Sequence, residues 1–234
     1  MHPILFEIGP IVIRSYGVLV ATGFAIGFAL LYSEAKRKNF YPEKILDLEF
    51  LMLCFGIIGA RLLHVIVNFG YYGSNPLEIL FVWRGGLAIY GGIIFAVAAC
   101  WIFIARHGMP VFKTADFIIP YVALGQSIGR IGCFLNGCCY GKPMNAFQNY
   151  PTQIYASLAL VLIFAILKLA QKKSFFAGFI FMLYLVLYSA QRFFIDFFRG
   201  DTPHYYLDLT ASQLISIVVF VFAFGFYLMR KKFS

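Results

Sequence analysis

The chain has 234 residues, of which 62% are hydrophobic and only 12% are charged. A soluble globular domain carries about 25% charged residues, so this composition, with a mean hydropathy of +0.83, excludes one and indicates a membrane protein with several spans. The net charge of +9 is explained by basic residues that set the membrane topology and attract anionic lipid, so no nucleic-acid partner is needed to account for it.

Seven segments are apolar over the roughly 20 residues that a membrane-spanning helix needs. We predict helices at 11–33, 46–68, 86–106, 115–134, 152–170, 175–194 and 211–229. The connections between them are short, which indicates an all-α integral membrane protein with a single polytopic domain over residues 1–234. The loops 69–84 and 136–151 are candidates for a small outer cap.

Polar residues at 14–16 interrupt the first apolar segment, and no small-residue cleavage pattern follows it. We therefore expect the first helix to stay in the membrane rather than to be removed as a signal peptide. The segments 23–27 and 125–129 begin and end with glycine, the small-xxx-small spacing of packed membrane helices, so we expect them to serve packing.

Lysine and arginine mark alternate helix ends, which the positive-inside rule assigns to the cytoplasm. This distribution places the N-terminus outside and the C-terminus in the cytoplasm. Twelve of the 19 basic residues lie at these ends: Lys36, Arg37, Lys38, Lys44, Arg106, Lys113, Lys168, Lys172, Lys173, Arg230, Lys231 and Lys232.

The other seven basic residues fall in the outer half of the protein under this topology, against the positive-inside rule. Six of the seven are arginines, whose planar guanidinium suits bidentate contacts with phosphate or carboxylate. Because they come from several helices or their outer ends, we expect them to converge on one outward-facing anion site. They are Arg14, Arg61, Arg84, Arg130, Lys142, Arg192 and Arg199.

Arg130 is the least expected of these cations, because a guanidinium at bilayer depth costs at least ~2.5 kcal/mol on insertion scales. It stands in Gly129-Arg130-Ile131-Gly132, at the end of an otherwise apolar segment. Such residues usually face a cavity or an anionic partner. A lipid phosphate is the anion that a membrane supplies.

The remaining cations also have simpler interpretations. Arg84 and Lys142 are consistent with solvent or headgroup contacts at helix ends. Arg61 lies within the second predicted helix, where an ion pair with an intramembrane acid is the alternative, but that helix offers no acid near it. Arg199 follows Asp196 by three residues, a spacing at which helical side chains meet, so neutralisation by Asp196 and direct contact with a ligand both stay open.

Eight motifs follow one another along the chain. They are His2-Pro3-Ile4 with Ile8-Gly9-Pro10, Arg14-Ser15-Tyr16-Gly17, Gly59-Ala60-Arg61, Gly85-Gly86-Leu87 with Gly91-Gly92, Gly129-Arg130-Ile131-Gly132, Asn136-Gly137 with Gly141, Tyr150-Pro151-Thr152-Gln153-Ile154-Tyr155, and Arg192-Phe193-Phe194 with Phe197-Phe198-Arg199. In order and spacing they resemble the bacterial phosphatidylglycerol–prolipoprotein diacylglyceryl transferases over nearly the whole chain.

The resemblance implies transfer of the diacylglyceryl group of phosphatidylglycerol to the lipobox cysteine thiol of a prolipoprotein, with release of glycerol phosphate. This is the first step of bacterial lipoprotein maturation, and the resemblance places it at the outer leaflet of the cytoplasmic (inner) membrane. It carries an essential role onto Arg130, an important role onto Arg199, and site positions onto Tyr16, Asn136 and Gly141.

Thioether formation at a glycerol carbon expels a phosphate oxyanion, whose developing charge is stabilised by fixed cations. We therefore expect Arg130 and Arg199 to act in catalysis, and Arg130 and Arg61 to bind substrate. The resemblance implies a substrate-binding role for Asn136 and Gly141 as well. This chemistry requires no metal or redox cofactor.

The sequence departs from the family pattern in ways that leave the general base open. Tyr90 stands where the pattern has a histidine, Cys133 and Cys138 where it has asparagine and glutamate, and Ala156 where it has an acid. The substrate thiol needs a base or a positive local field to become a thiolate.

Two tyrosines and one histidine are the candidates for handling this proton. We assign Tyr16 and Tyr90 to catalysis, Tyr90 as a hydrogen-bonding relay, although each is also consistent with an aromatic belt at the membrane interface. His64 lies at a similar depth and is assigned to substrate binding, with a packing role as its simpler interpretation.

Three thiols, Cys133, Cys138 and Cys139, lie within seven residues. In an oxidising compartment such thiols form a disulfide or bind a metal, but histidine or acidic ligands at zinc-site spacing are missing. We interpret them as small packing groups, with a disulfide as the alternative. Cys54 and Cys100 lie inside predicted spans and are expected to pack as small apolar residues.

Two other classes of function stay open on the sequence. A transporter or channel would use the arginine cluster to bind an anionic solute, but the inner halves of the helices contain few polar residues to continue a path. The sequence also lacks the internal repeat found in many secondary transporters. A lipid-binding protein would keep the cluster without turnover.

Overall fold

The computed structural model describes residues 4–8, 11–145, 148–173, 176–202 and 209–232. Its eight helices in these ranges are α1 (Ser15–Lys38), α2 (Pro42–Val67), α3 (Phe69–Ser74), α4 (Ile89–Arg106), α5 (Val111–Asn136), α6 (Thr152–Ala170), α7 (Phe179–Asp196) and α8 (Ala211–Lys232). Four short strands accompany them: β1 (Ile4–Ile8), β2 (Ile11–Arg14), β3 (Pro143–Asn145) and β4 (Gln148–Asn149).

Seven of these helices are long and apolar enough to cross a membrane, all except α3. Large apolar side chains on them point outward, such as Phe50, Leu158 and Phe222, which are 70%, 64% and 66% exposed. Exposed apolar surface of this kind suits contact with lipid rather than water. The prediction of an all-α protein with about seven membrane spans is confirmed.

The first predicted helix differs from the structure at its start. Residues 11–14 were expected to be helical, but they form β2, which pairs antiparallel with β1 in a hairpin. The β-branched run Ile11-Val12-Ile13 favours a strand over a helix. The helix begins only at Ser15, directly after Arg14, so that part of the prediction was wrong.

The chain forms two compact units, one from residues 1–31 and 115–234 and the other from residues 32–114. In the smaller unit, the stretch 69–84 contains α3 and two 3-10 turns, Pro76–Leu80 and Val82–Arg84. In the larger unit, the segment after α5 carries the β3–β4 hairpin. The single domain over the whole chain and the outer cap both stay predictions.

Close packing holds the helices of the larger unit together. A core of Ala123, Leu160 and Ile180, with neighbouring apolar residues, joins α5, α6 and α7. Gly23 on α1 lies so close to α5 that a Cβ added to it would stand 2.7 Å from the Gly125 carbonyl oxygen. The packing role predicted for this glycine spacing is therefore confirmed.

The start of α7 is tied to α5 by one carboxylate. Asp116 on α5 accepts hydrogen bonds from the backbone N–H groups of Gly178 (2.6 Å) and Phe181 (2.8 Å). The first N–H groups of a helix have no partner within the helix, so Asp116 acts as its cap from outside. Gln171, just after α6, donates to the Asp116 backbone carbonyl at 2.6 Å, which brings α6 to the same point.

We predict that Asp116→Ala lowers the free energy of unfolding by about 1–3 kcal/mol, because it leaves buried N–H groups of α7 without an acceptor. Asp116→Asn keeps one acceptor oxygen and should lose less. Unfolding in detergent measures the effect, with the exposed Asp47 changed to Ala as the control. Equal stability of Asp116→Ala and Asp47→Ala would contradict this role.

Candidate functional site

Three arginines surround a small cavity in the larger unit, where α5 and α7 end and α6 begins. Arg130 comes from α5, Arg192 from α7, and Arg199 from the segment that follows α7. The complete lining is Arg130, Cys139, Thr152, Gln153, Ala156, Arg192, Ile195 and Arg199. Two of the predicted catalytic residues, Arg130 and Arg199, therefore meet at one cavity.

Arg130 has no hydrogen bond and no ion pair with a carboxylate anywhere in the described part of the chain. Tyr188, Cys133, Cys139 and Arg199 are among the charged and ionisable groups within electrostatic range of it. The guanidinium lies in the last two turns of a membrane-spanning helix, where an unpaired charge is costly. Its five N–H donors are available to an anion that enters the cavity.

Arg199 and Arg192, by contrast, are paired with acids. Arg199 holds Asp201 in a bidentate contact, with distances of 2.9 Å from Nε to Oδ1 and 3.0 Å from Nη2 to Oδ2. The fully buried Asp196 lies 3.3 Å from Arg192 and 3.6 Å from Arg199. The sequence left open whether Arg199 is neutralised by Asp196 or contacts a ligand. The ion pair with Asp196 is present, and Arg199 lies still closer to Asp201.

Arg192 is a cavity residue to which the sequence interpretation gave no role of its own. The signal was present in the spacing of Arg192, Asp196 and Arg199, which puts the acid four residues after the first arginine and three before the second. Side chains at these helical spacings meet. Such a pattern in an apolar segment indicates a charge cluster with two cations for one acid.

The same acid also fixes the start of α8. Thr210 donates from its hydroxyl to Asp196 Oδ2 at 2.7 Å. Thr210 and Gln213 form a capping box, in which each side chain accepts the backbone N–H of the other residue, at 3.2 and 2.9 Å. The N-terminus of α8 is thereby attached to the arginine cluster through one carboxylate.

The loop after α5 is held in place by the first turn of α6. Thr152 donates from its hydroxyl to the Cys139 carbonyl at 2.8 Å, and Gln153 donates from its amide to the Cys138 carbonyl at 2.7 Å. Cys139 has a φ of 60°, a left-handed conformation that is uncommon for a residue with a side chain. These bonds stabilise that conformation and explain the threonine and glutamine of the Tyr150–Tyr155 motif.

Gly141 is the point where this loop meets the end of α7. It forms a β-bridge with Arg199, and the next residue, Lys142, donates its N–H to the Phe198 carbonyl at 2.7 Å. A Cβ on Gly141 would stand 2.5 Å from the Tyr150 carbonyl oxygen and 2.9 Å from that of Phe198. The geometry requires glycine for backbone packing, while the substrate-binding role predicted for Gly141 stays a prediction.

The three neighbouring cysteines are free thiols whose sulfur atoms all lie within 4.8 Å of one another. A hydrogen bond from Cys133 and the positive charges of Arg199 and Arg130 outweigh burial and lower the pKa of Cys139 below that of an ordinary thiol. Burial raises the pKa of Cys138. Asn136, at the end of α5, lies within hydrogen-bonding reach of Cys138, and its contact with substrate stays a prediction.

Tyr16 belongs to the same unit and stands at the start of α1. It is 40% exposed and lies within electrostatic range of Arg130 and the three thiols. A Cβ added to Gly132 on α5 would be 3.4 Å from the Tyr16 ring, so α1 and α5 approach closely here. The structure thus brings Tyr16, Arg130 and Arg199 into one neighbourhood.

In the smaller unit, Arg61 is buried and directs all of its guanidinium N–H groups at backbone carbonyls. Its side chain also stacks on Tyr72, with 5.2 Å between the guanidinium carbon and the ring centroid. The five carbonyls, at 2.5 to 3.5 Å, belong to Glu78, Ile79, Phe81, Gly85 and Gly86. Arg61 therefore organises the segment before α4, and the substrate contact predicted for it stays a prediction.

The two remaining site candidates also lie in the smaller unit. His64 packs edge-on against Tyr72 and, with Arg61, closes around Gly86, where an added Cβ would be 2.8 Å from His64 Nε2. Tyr90 stands in the first turn of α4 and is 63% exposed. The predicted roles of His64 in binding and of Tyr90 in catalysis stay predictions.

The fold and the arginine cavity define a multi-pass membrane protein with a cationic site at a helix end. A family model described as prolipoprotein diacylglyceryl transferase matches residues 3–229. The chain belongs to this family.

Relatives that carry this description in their names cover nearly all of the chain. The phosphatidylglycerol–prolipoprotein diacylglyceryl transferase of Clostridium tetani is 34% identical over 250 residues, which span 99% of this chain and 100% of the relative. The protein of the same name from Finegoldia magna is 37% identical over 230 residues, 94% of this chain and 92% of the relative. That from Bacillus licheniformis is 33% identical over 251 residues, with 99% and 93% covered.

We predict that Gly141→Ala destabilises the protein by about 1–3 kcal/mol, because the new methyl group overlaps backbone atoms that cannot move aside freely. The melting temperature in detergent should fall. Gly225→Ala is the control, since nothing lies within 4 Å of a Cβ there and alanine favours a helix. A Gly141→Ala protein as stable as the wild type would refute the packing requirement.

We also predict that Arg61→Lys exposes residues 76–86 to proteases, because one ammonium group cannot replace a planar fork bonded to five carbonyls. Limited proteolysis measures the rate of cleavage in this segment. The exposed Arg106, changed to Lys, provides the control in the same unit. Equal cleavage of the two variants would show that Arg61 does not hold the segment.

Proposed function

We propose that this protein transfers the diacylglyceryl group of phosphatidylglycerol to the lipobox cysteine thiol of a prolipoprotein and releases glycerol phosphate. Membership of the transferase family supports the reaction. The observation that carries the proposal is Arg130, an arginine in a membrane-spanning helix that faces a cavity and has no carboxylate partner among the residues that the structure describes. An anionic lipid headgroup supplies the missing partner.

The charges around the cavity match such a headgroup. Arg130, Arg192 and Arg199 carry three positive charges, and Asp196 and Asp201 carry two negative ones, which leaves one positive charge. A phosphodiester carries one negative charge. The lipid phosphate therefore balances the cluster, and the bidentate fork of Arg130 fits two phosphate oxygens.

The reaction breaks one bond and forms another. The thiol sulfur attacks the glycerol carbon that bears the phosphate, and a C–S bond forms as the C–O bond breaks. The electron pair of that bond leaves with the phosphate oxygen, so negative charge grows on the departing glycerol phosphate. Arg130 stabilises this charge directly, and Arg199 and Arg192 add to the positive field.

The thiol proton must leave as the sulfur attacks, and the departing phosphate, which gains negative charge, takes up a proton in the overall reaction. We assign Tyr16 as the hydroxyl that hydrogen-bonds the incoming thiol, because it lies within electrostatic range of Arg130. The positive charge of Arg130 favours the thiolate form of the substrate. Tyr90 and His64 belong to the other compact unit, so the relay role of Tyr90 and the binding role of His64 rest on the sequence pattern alone.

The protein is a multi-pass protein of the bacterial inner membrane. We further propose that the N-terminus lies outside, the C-terminus lies in the cytoplasm, and the cavity opens toward the outer leaflet. The lysine and arginine residues at alternate helix ends support this orientation. The transporter and the lipid-binding protein without turnover are not favoured, because the relatives are named as transferases.

We predict that Arg130→Ala reduces the transfer rate by a hundredfold or more, the typical cost of removing one fixed group that stabilises developing charge. Purified protein, phosphatidylglycerol and a lipobox peptide are combined, and mass spectrometry measures the diacylglyceryl group on the peptide cysteine. Arg130→Lys keeps the charge but loses the bidentate fork, so it should recover only part of the rate.

The exposed Arg37, changed to Ala, is the matched control and should transfer at the wild-type rate. Melting temperatures establish that each variant is folded. A folded wild-type protein that never modifies the thiol would overturn the proposed reaction. Equal rates for Arg130→Ala and Arg37→Ala would overturn the role of Arg130 alone.

A further inference from the structure

The thiols of Cys133, Cys138 and Cys139 form a cluster that the transfer reaction does not use. Cys133 lies in the last turn of α5 and is 9% exposed, while the other two are half-buried. All three sulfur atoms lie within 4.8 Å of one another. Sulfur atoms bound to one Zn²⁺ at about 2.3 Å stand about 4 Å apart in tetrahedral or trigonal geometry, so small side-chain movements bring these thiols onto one ion.

Hydrogen bonds to backbone carbonyl groups hold the segment that carries these cysteines in place. Cys138 donates its N–H to the Cys133 carbonyl at 3.2 Å, which closes the end of α5. The carbonyls of Cys138 and Cys139 accept hydrogen bonds from Gln153 and Thr152 at 2.7 and 2.8 Å. The three ligand positions are thus fixed by contacts that do not involve the sulfur atoms, and the site needs little ordering when an ion binds.

We propose that Cys133, Cys138 and Cys139 bind one thiophilic d¹⁰ metal ion of the class of Zn²⁺. Soft thiolate ligands select such ions over Mg²⁺ or Ca²⁺. Three protein ligands leave a fourth position open to water, and the half-buried Cys138 and Cys139 give the ion a path from solvent.

The positive charge of the neighbouring arginines favours this site. Binding of Zn²⁺ displaces to solvent the protons that remain on the three thiols and forms a complex of three thiolates and one divalent ion, with a net charge of −1. The arginines and aspartates of the cavity carry a net charge of +1, and Cys139 lines that cavity. Although the free ion is a cation, the thiolate–metal complex carries a negative charge. The neighbouring arginine cluster therefore attracts the bound complex.

The site also has a consequence for transfer, which rests on the proposed function. A complex of charge −1 at Cys139 compensates the positive charge that the lipid phosphate would meet at Arg130. Zn²⁺ is therefore expected to slow diacylglyceryl transfer. Metal binding itself is measured without either substrate, so failure of the metal site and failure of the transferase proposal give different results.

The test is a titration of the reduced wild-type protein in detergent, without oxygen, using Cd²⁺ as the spectroscopic probe. Thiolate-to-metal charge transfer in the ultraviolet should saturate at one Cd²⁺ per chain, and Zn²⁺ should displace it. Each of Cys133→Ser, Cys138→Ser and Cys139→Ser should weaken binding by about tenfold or more. Loss of a residue that only hydrogen-bonds to a metal ligand already costs about this much affinity, and these variants remove a ligand itself. The double variant Cys54→Ser with Cys100→Ser should bind as the wild type does.

Thermal unfolding supplies a second measurement that does not depend on the variants. Zn²⁺ should raise the melting temperature of the wild type, whereas Mg²⁺ at the same concentration should not, because only an ion that binds the folded state stabilises it. The proposal is overturned if the folded, fully reduced protein shows no charge-transfer band. It is overturned equally if the Cys54 and Cys100 double variant loses the band, or if all three serine variants keep wild-type affinity.

Discussion

The buried carboxylate of Asp196 is the group on which the arginine site of the larger unit depends. It lies between Arg192 and Arg199 at 3.3 and 3.6 Å and accepts a 2.7 Å hydrogen bond from Thr210. Removing one partner of a buried charge pair leaves an uncompensated charge, which costs about 3–5 kcal/mol. Without this acid, two guanidinium groups would face each other in a poorly solvated space and α8 would lose the anchor of its first turn.

This pairing also explains why, of the three arginines that line the cavity, Arg130 is the one ready for a ligand. Arg192 and Arg199 are held by Asp196 and Asp201, whereas Arg130 has no carboxylate partner in the described ranges. Three unpaired arginines would repel one another, and a fully neutral cluster would have no electrostatic preference for an anion. The formal charges of these three arginines and two aspartates leave one positive charge, which matches the single negative charge of a phosphodiester. The arginine without a carboxylate partner in the described ranges comes from the membrane-spanning α5.

Local sequence patterns predicted the parts of this structure that depend on neighbours along one helix. The apolar segments predicted the spans, and the spacing of Asp196 and Arg199 offered their contact as one of two options, because both follow from helical periodicity. The five carbonyls bound by Arg61 lie 17 to 25 residues away in the chain. No periodic pattern relates such distant positions, so a structural role for this arginine could not be separated from a ligand role by sequence alone.

The close approach of the three thiols could not be predicted from the sequence either. Cys133, Cys138 and Cys139 lack the regular spacing of a metal motif, and they meet only because α5 ends and Cys139 adopts a left-handed conformation at φ 60°. The resemblance of the sequence to the family leads us to expect asparagine and glutamate at two of these positions, Cys133 and Cys138. The backbone bonds from Thr152 and Gln153 do not depend on those side chains, so the loop keeps its path when hydrogen-bonding groups are replaced by thiols. Thiols next to Arg130 therefore differ in chemistry from the amide and carboxylate that the resemblance leads us to expect, while the hydrogen bonds that hold the loop do not depend on either.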